Sequence, residues 1–183
     1  MIVTFCGHKD IADTSMVRAA VDEVLRGLVA EGADCFLLGG YGGFDSLAAH
    51  AVHDLKQQYP QIHSTLVIPY LNREYSTELY DDTTYPPLED VPMKFAISKR
   101  NEWMVDQADV VVAYVTHSWG GAAATLQYAE RKNKRIMCWT KAARKSVCPA
   151  EGTRPARLTL WTGTTGKTPR SGAGRGLILP TSF

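Results

Sequence analysis

The chain has 183 residues, 45% of them hydrophobic and 21% charged, the balance of one globular core and not of a disordered chain. Its formal charge of +1 hides an asymmetry: residues 1 to 140 carry 12 Lys/Arg against 18 Asp/Glu, while residues 141 to 183 carry 8 against one acid, Glu151. No stretch reaches the roughly 18 consecutive apolar residues of a spanning helix, and Met1-Ile2-Val3-Thr4-Phe5 has neither the basic start nor the cleavage site of a signal peptide, so neither a membrane span nor secretion is expected.

Along the chain, apolar runs of strand length alternate with segments of helical period, the pattern of a parallel sheet covered by helices. The first strand is predicted over Met1 to Cys6. A helix follows from about Ser15 to Glu31, with Val17, Val21, Val24, Leu25 and Leu28 in one stripe, Thr14 or Ser15 as cap and Gly32 at its end. The second strand is Cys35-Phe36-Leu37-Leu38, and the second helix runs from about Phe44 to Tyr59, where Pro60 bars continuation. The third strand is Ser64 to Ile68, stopped by Pro69.

Residues 70 to 92 break the rhythm with Asp81-Asp82, Pro86-Pro87 and tyrosines at 70, 75, 80 and 85. A connection of this length is expected to be functional or mobile. A third helix, Met93 to Gln107, leads to a fourth strand, Asp109 to Val115. A fourth helix from Gly120-Gly121 to about Lys132 leads to a fifth strand, Arg135 to Trp139. These elements predict an α/β, Rossmann-like three-layer α/β/α domain over residues 1 to 140, with a mostly parallel five-stranded sheet. Residues 141 to 183 are read as a basic, largely disordered tail, in which Leu158-Thr159-Leu160-Trp161 and Leu177-Ile178-Leu179 are candidates for short ordered pieces.

The cysteines, Cys6, Cys35, Cys138 and Cys148, are scattered without a Cys-x-x-Cys pair, which argues against zinc and disulfide frameworks and for a reducing, cytoplasmic setting. No metal-ligand spacing or Ser-His-Asp signature is visible. His50, His53, His63 and His117 are read as isolated and solvent-facing. The acidic body offers no field for nucleic acid, which is not expected to bind except through the basic tail.

In an open parallel sheet, ligands collect beyond the carboxyl ends of the strands, where strand order reverses. After the first strand stand Gly7, His8 and Lys9; after the second, Gly39-Gly40-Tyr41-Gly42-Gly43-Phe44-Asp45; after the third, Pro69; after the fourth, Thr116 to Gly121. Four glycines in five positions before a helix bring bare backbone to the positive end of the helix dipole, an arrangement suited to phosphate. The alternative reading of the same residues is a tight turn in which Asp45 complements the dipole. Gly120-Gly121 repeats the arrangement, with Thr125 as a hydroxyl donor, and close helix packing explains its small residues as well.

On the third helix, Ile97, Arg100, Asn101 and Met104 share a face. An Arg-Asn pair on a core-facing stripe needs partners. These are a ligand phosphate or carboxylate, or alternatively a structural ion pair from Arg100 to Asp45 or Asp106.

The blocks Phe5-Cys6-Gly7-His8-Lys9, Leu38-Gly39-Gly40-Tyr41-Gly42-Gly43-Phe44-Asp45-Ser46-Leu47-Ala48-Ala49, Val67-Ile68-Pro69-Tyr70, Arg100-Asn101-x-Trp103-Met104-Val105-Asp106-x-Ala108-Asp109 and Gly120-Gly121-x-x-x-Thr125-x-x-Tyr128-Ala129 together resemble the SLOG superfamily, and within it the YpsA-like branch of small bacterial and phage proteins, related to LOG-type and DprA-type nucleotide-binding proteins. The resemblance covers about residues 1 to 140. It implies a Rossmann-like fold and the binding of a nucleotide or nucleotide-derived ligand, ADP-ribose-like compounds included, with no further cofactor identified.

The ligand site it implies comprises Gly7, His8, Lys9, Gly39, Gly40, Gly42, Gly43, Asp45, Pro69, Arg100, Asn101, Gly120, Gly121 and Thr125. Lys9 stands where the family often has Arg, so a point charge replaces a fork. LOG-type phosphoribohydrolases carry Pro-Gly-Gly-x-Gly-Thr-x-x-Glu; here Trp119 replaces the proline, one residue is inserted, the third glycine is absent and Tyr128 stands at the Glu. Asp45 is then the remaining carboxylate for an N-glycosidic hydrolase. That activity, and a protein-interaction module using the 70 to 92 loop or the tail, are the alternatives to a ligand-binding sensor. Related folds often form dimers through helices beside the sheet, and no stripe here decides for or against a homodimer.

Overall fold

A computed structural model describes residues 1 to 140 and 143 to 148. Its elements are β1 (Ile2–Gly7), α1 (Thr14–Ala30), β2 (Cys35–Leu38), α2 (Gly43–Lys56), β3 (His63–Val67), β4 (Asp82–Thr84), α3 (Met93–Gln107), β5 (Val110–Tyr114), α4 (Gly120–Arg131), β6 (Arg135–Thr140) and β7 (Ala143–Cys148). The strands form one sheet in the order β4-β3-β2-β1-β5-β6-β7. All neighbouring pairs are parallel except β6 with β7. The fold is the expected Rossmann-like α/β sandwich.

The period of two along β1 assigns its residues to the two faces. Val3 and Phe5 enter the core that contains Val17, Val21, Leu25 and Leu28 of α1 with Phe44, Ala48 and Val52 of α2. Cys6 faces the other way, into a cluster with Val105 of α3 and Ala123 and Ala129 of α4. Val110 and Val112 of β5 join the first cluster while Val111 and Ala113 join the second. A central strand buried on both faces therefore reads as an unbroken apolar run, as Val110-Val111-Val112-Ala113 does. Each fully buried Val, Leu or Phe contributes about 1.5–3 kcal/mol.

Three features differ from the sequence expectation. The α1 cap is Asp13, whose side chain accepts from the Met16 N–H at 3.0 Å; Ser15 instead donates to Asp13. The 70 to 92 connection contains β4, which pairs with β3. Asp81 anchors it: one carboxylate oxygen accepts from the Ser64 N–H at 2.9 Å and the Ser64 hydroxyl at 3.1 Å, and the other pairs with Lys56. Three residues are too few to produce a visible alternation.

The third difference is β7, which extends the sheet past residue 140 as an antiparallel strand, so the sheet has seven strands among the described residues and not five. Its residues, Ala143-Arg144-Lys145-Ser146-Val147-Cys148, show no strand-like apolar run, because an edge strand tolerates and even favours charge. The other tail readings, at 158 to 161 and 177 to 179, lie outside the described residues.

Because the chain builds β1 through β4 outward and then returns to place β5 on the other side of β1, strand order reverses between β1 and β5. The carboxyl ends of these two strands define the crevice in which such folds take ligands.

Candidate functional site

Two helices start on this edge after glycine pairs, and their surroundings differ. At α2 the protein itself fills the space. A side chain on Gly43 would run into the backbone carbonyl of Lys9, which already accepts the Gly43 N–H at 3.0 Å. Gly42, at φ +97°, lies against the backbone and stem of Lys9. Gly7 leaves room for the Phe44 ring. A Cβ on Gly39 would sit 2.5 Å from Arg100 Nη1 and 2.6 Å from Asp45 Oδ2, so this position is glycine because the buried Arg100 and Asp45 side chains occupy the side-chain volume.

Arg100 is 1% exposed. Its Nη1 donates to the carbonyls of Gly39, at 2.5 Å, and Val67, at 2.9 Å, tying α3 to the ends of β2 and β3. Asp45, 9% exposed, accepts the Tyr41 N–H on Oδ2 at 3.0 Å. Burial pushes the Asp45 carboxyl up to about 6, against the pull of Arg100 and of the Tyr41 N–H. Burial likewise lowers the Arg100 pKa. Neither structural ion pair weighed for Arg100 forms within 4 Å: Asp45 acts on it only as a nearby charge, and Asp106 accepts from Tyr128 at 2.9 Å and pairs with Lys132.

The tyrosine-bearing connection closes over this half of the edge. Tyr75 reaches Tyr41, hydroxyl to hydroxyl, at 3.4 Å, and its pKa is raised to about 12 by burial first and by Tyr41 second. The Arg100 guanidinium stands 5.5 Å from the Tyr41 ring centre, an attractive arrangement. Tyr80 packs against the main core. Pro69 is buried and Lys9 is exposed.

At α4 the space is open. A side chain on Gly120 or Gly121 would meet no atom within 4 Å. Gly120 is held at φ +88°, a region that side-chain-bearing residues avoid, and the helix has no side-chain cap. The first-turn N–H groups of a helix have no partner within it and carry its positive dipole end.

Thr125 does not reach this opening. Its hydroxyl donates back to the Gly121 carbonyl at 2.8 Å and accepts from Asn101 Nδ2 at 3.2 Å, so Asn101 and Thr125 join α3 to α4.

Between the two helix starts lies His8, at the end of β1. The Thr116 N–H donates to its Nδ1 at 3.0 Å, which puts the neutral ring's proton on Nε2. Nε2 is buried and has no hydrogen-bond partner among the described residues, although the residue as a whole is only 8% exposed. Burial lowers the His8 pKa and His117 lowers it further, while a longer hydrogen-bonding contact with the Trp119 backbone raises it.

His117 corrects the reading of an isolated, solvent-facing histidine. It is half-buried and stacks on His8 at 3.5 Å between ring centres, 18° from parallel. Its ring also stacks on Trp119, at 3.8 Å and 17°. His117 and Trp119 are the site residues that sequence reasoning missed. The available signal was their position, three and five residues past the end of β5, with Trp119 directly before the glycine pair.

The predicted residues thus separate by surroundings, and Gly40, at φ +70°, lies against Leu66 and Tyr80. Gly7, Gly39, Gly42, Gly43, Asp45 and Arg100 are engaged with one another, with Phe44 or with Lys9, and Asn101 with Thr125. Gly120 and Gly121 face open space at the start of α4, and His8 is buried at the end of β1. Among the described residues no cluster of three or more His, Cys, Asp or Glu is placed to hold a metal ion, and no helix is long and apolar enough to cross a membrane.

Known proteins place this arrangement in context. The chain is 23% identical over 134 residues to a UPF0398 protein of Bacillus velezensis, covering 64% of this chain and 72% of the relative. It is 23% identical to the UPF0398 protein YpsA of Bacillus subtilis, over 65% and 73%. Against the uncharacterized SPbeta prophage-derived protein YoqJ of Bacillus subtilis it is 28% identical, over 57% and 74%. Among solved structures it is similar to DNA processing protein A from Helicobacter pylori, whose structure was described for its single-stranded DNA binding mode, with a TM-score of 0.55, 18% identity and coverage of 80% of this chain and 68% of that one. At that identity the likeness is one of fold. The YpsA family model, described as the YspA SLOG family, matches residues 5–140, the span that carries both glycine-led helices and the crevice between them, and the chain belongs to that family.

Proposed function

We propose that this protein binds a phosphate-bearing, nucleotide-type ligand in the β1/β5 crevice, with the phosphate at the start of α4. The observation that carries the reading is the combination at that point of an uncapped helix start with open space at Gly120 and Gly121 and a buried, unpartnered His8 Nε2 proton beside it. A phosphate oxygen supplies what both lack: acceptors for outward N–H groups and for the imidazole N–H, at the positive end of a helix dipole. Neutral His8 serves as a donor without adding charge. Family membership and the fold shared with a DNA-binding protein are consistent with a nucleotide as the chemical class. The free thiols of Cys6 and Cys35 fit a reducing, cytoplasmic setting.

The hydrolase alternative rests on Asp45, whose pKa of about 6 is in the range of a general acid or base at neutral pH. Its burial beneath Gly39 and its bond to the Tyr41 N–H fit better a carboxylate that holds the α2 turn.

The test is calorimetry of the full chain with nucleoside monophosphates and diphosphates, NAD, ADP-ribose and phosphate-free nucleosides, followed by chromatography of each mixture. Phosphate-bearing compounds are expected to bind and to be recovered intact. Gly121→Glu, which adds a carboxylate where no atom is displaced, is expected to abolish binding. Equal binding of nucleosides without phosphate, or unchanged binding by Gly121→Glu, contradicts the reading. Release of free base that disappears in Asp45→Asn assigns the hydrolase instead.

A further inference from the structure

Resting on the phosphate site just proposed, we infer that Trp119 is the base-recognising residue of the pocket, the outer end of a three-ring stack on which the base of a nucleoside phosphate lies. The rings of His8, His117 and Trp119 are stacked in sequence at 3.5 and 3.8 Å, each within 18° of its neighbour. His117 therefore has both faces covered, and the stack ends in Trp119, which is 71% exposed. The outer face of this indole is therefore open to a further flat ring, the arrangement in which aromatic side chains take bases.

Its position sets the orientation of the ligand. Trp119 is the residue from which α4 springs, so its ring stands beside the helix start that faces the phosphate. The His117 Nδ1 makes a 3.0 Å contact with the Trp119 carbonyl, which ties the stack to the backbone of that start. At its inner end the stack is fixed by the Thr116 N–H to His8 bond. One assembly thus presents phosphate donors and a flat aromatic face within the span of a single nucleotide. Stacking tolerates every base because each has a π face, so the pocket discriminates for the presence of a base more strongly than for its identity. The ligand class is a nucleoside phosphate, in preference to a bare sugar phosphate.

The experiment compares adenosine 5′-monophosphate with ribose 5-phosphate by calorimetry on the full chain, its Trp119→Ala and Trp119→Phe variants and Gly121→Glu. The parent is expected to bind the nucleotide at least about ten-fold more tightly than the sugar phosphate, a typical effect of one stacked base. Trp119→Ala is expected to lose that preference while keeping its affinity for ribose 5-phosphate, and Trp119→Phe to retain most of it. Because Trp119 is exposed, neither change threatens the fold, and far-ultraviolet circular dichroism verifies this.

Unchanged nucleotide affinity in Trp119→Ala, with Gly121→Glu inactive, overturns the platform and leaves the phosphate site standing. An equal loss of both ligands in Trp119→Ala also overturns it, since the ring then acts on the helix start alone. Failure of the parent to bind either compound overturns the phosphate site and the platform together.

Discussion

Helices α2 and α4 begin alike, each on a glycine pair after a parallel strand on the same sheet edge, and the two starts do opposite things. At α2 the missing side chains make room for other parts of the protein: the Lys9 backbone at Gly42 and Gly43, and Arg100 with Asp45 at Gly39. At α4 the missing side chains leave open space, with no atom within 4 Å of either position. Glycine before a helix is therefore not one signal but two. It serves folding where neighbours crowd in and leaves bare backbone where they do not.

The sharpest way to break this comparison is to remove the charge that fills the α2 side. Arg100→Leu leaves Asp45 buried without its cation and the Gly39 and Val67 carbonyls without their donor. A loss of about 2–6 kcal/mol is expected, as for two buried carbonyls left without a donor, and is measured by urea unfolding. A loss under 1 kcal/mol would contradict the structural role assigned to Arg100.

Next in size is Gly43→Ala, in which the new methyl meets the Lys9 carbonyl, an unyielding backbone atom. The expected cost is about 1–3 kcal/mol or more, with the α2 start displaced. A neutral result in thermal unfolding would mean that the two glycine starts are alike after all.

Comparable in size, but visible only against pH, is the effect of Asp45. Its carboxyl is raised in the folded chain from 3.8 to about 6, so the folded state holds the proton more tightly than the unfolded state does. The stability it contributes is complete below pH ~4 and is lost as pH rises through ~6, about 3 kcal/mol in all. Asp45→Asn should remove that descent, so the difference between variant and parent grows in the variant's favour over this window. Parallel stability curves for the two proteins from pH 4 to 8 would refute the assignment.

The smallest effect separates the two helix starts most cleanly. Gly121→Ala meets no neighbour and lies within α4, so it is expected to stabilise the chain by about 0.5–1 kcal/mol through helix propensity and reduced freedom of the unfolded chain. Destabilisation would show that Gly121 is packed, and hence that this start too is structural. Set beside Gly43→Ala, the same Gly-to-Ala change is predicted to have opposite signs at two points that look identical in sequence.

Much of the molecule was legible before any coordinates. Alternating strand-length and helix-length apolar segments gave the three-layer fold, because a strand buried on both faces must be continuously apolar, as Val110 to Ala113 is. What escaped were the strands at the sheet edges. The three residues of β4 are held by Asp81 through Ser64 and Lys56, partners distant in sequence, and β7 has an edge composition that does not announce a strand. The candidate site was half legible. The glycines, His8 and Arg100 stood out by position, but Arg100 was equally compatible with a ligand or an ion pair, and His117 appeared solitary because its two ring partners lie at positions 8 and 119.

The sequence by itself determined the helices, the central strands and their parallel arrangement, since periodicity and the punctuation of glycine and proline are local properties. Only the tertiary structure decided which glycine-led helix is filled and which is open, where Arg100 spends its charge, and that His8, His117 and Trp119 form one stack. Those outcomes depend on which groups from distant segments arrive in the same few ångströms, and no local pattern encodes the neighbour that comes from elsewhere in the chain.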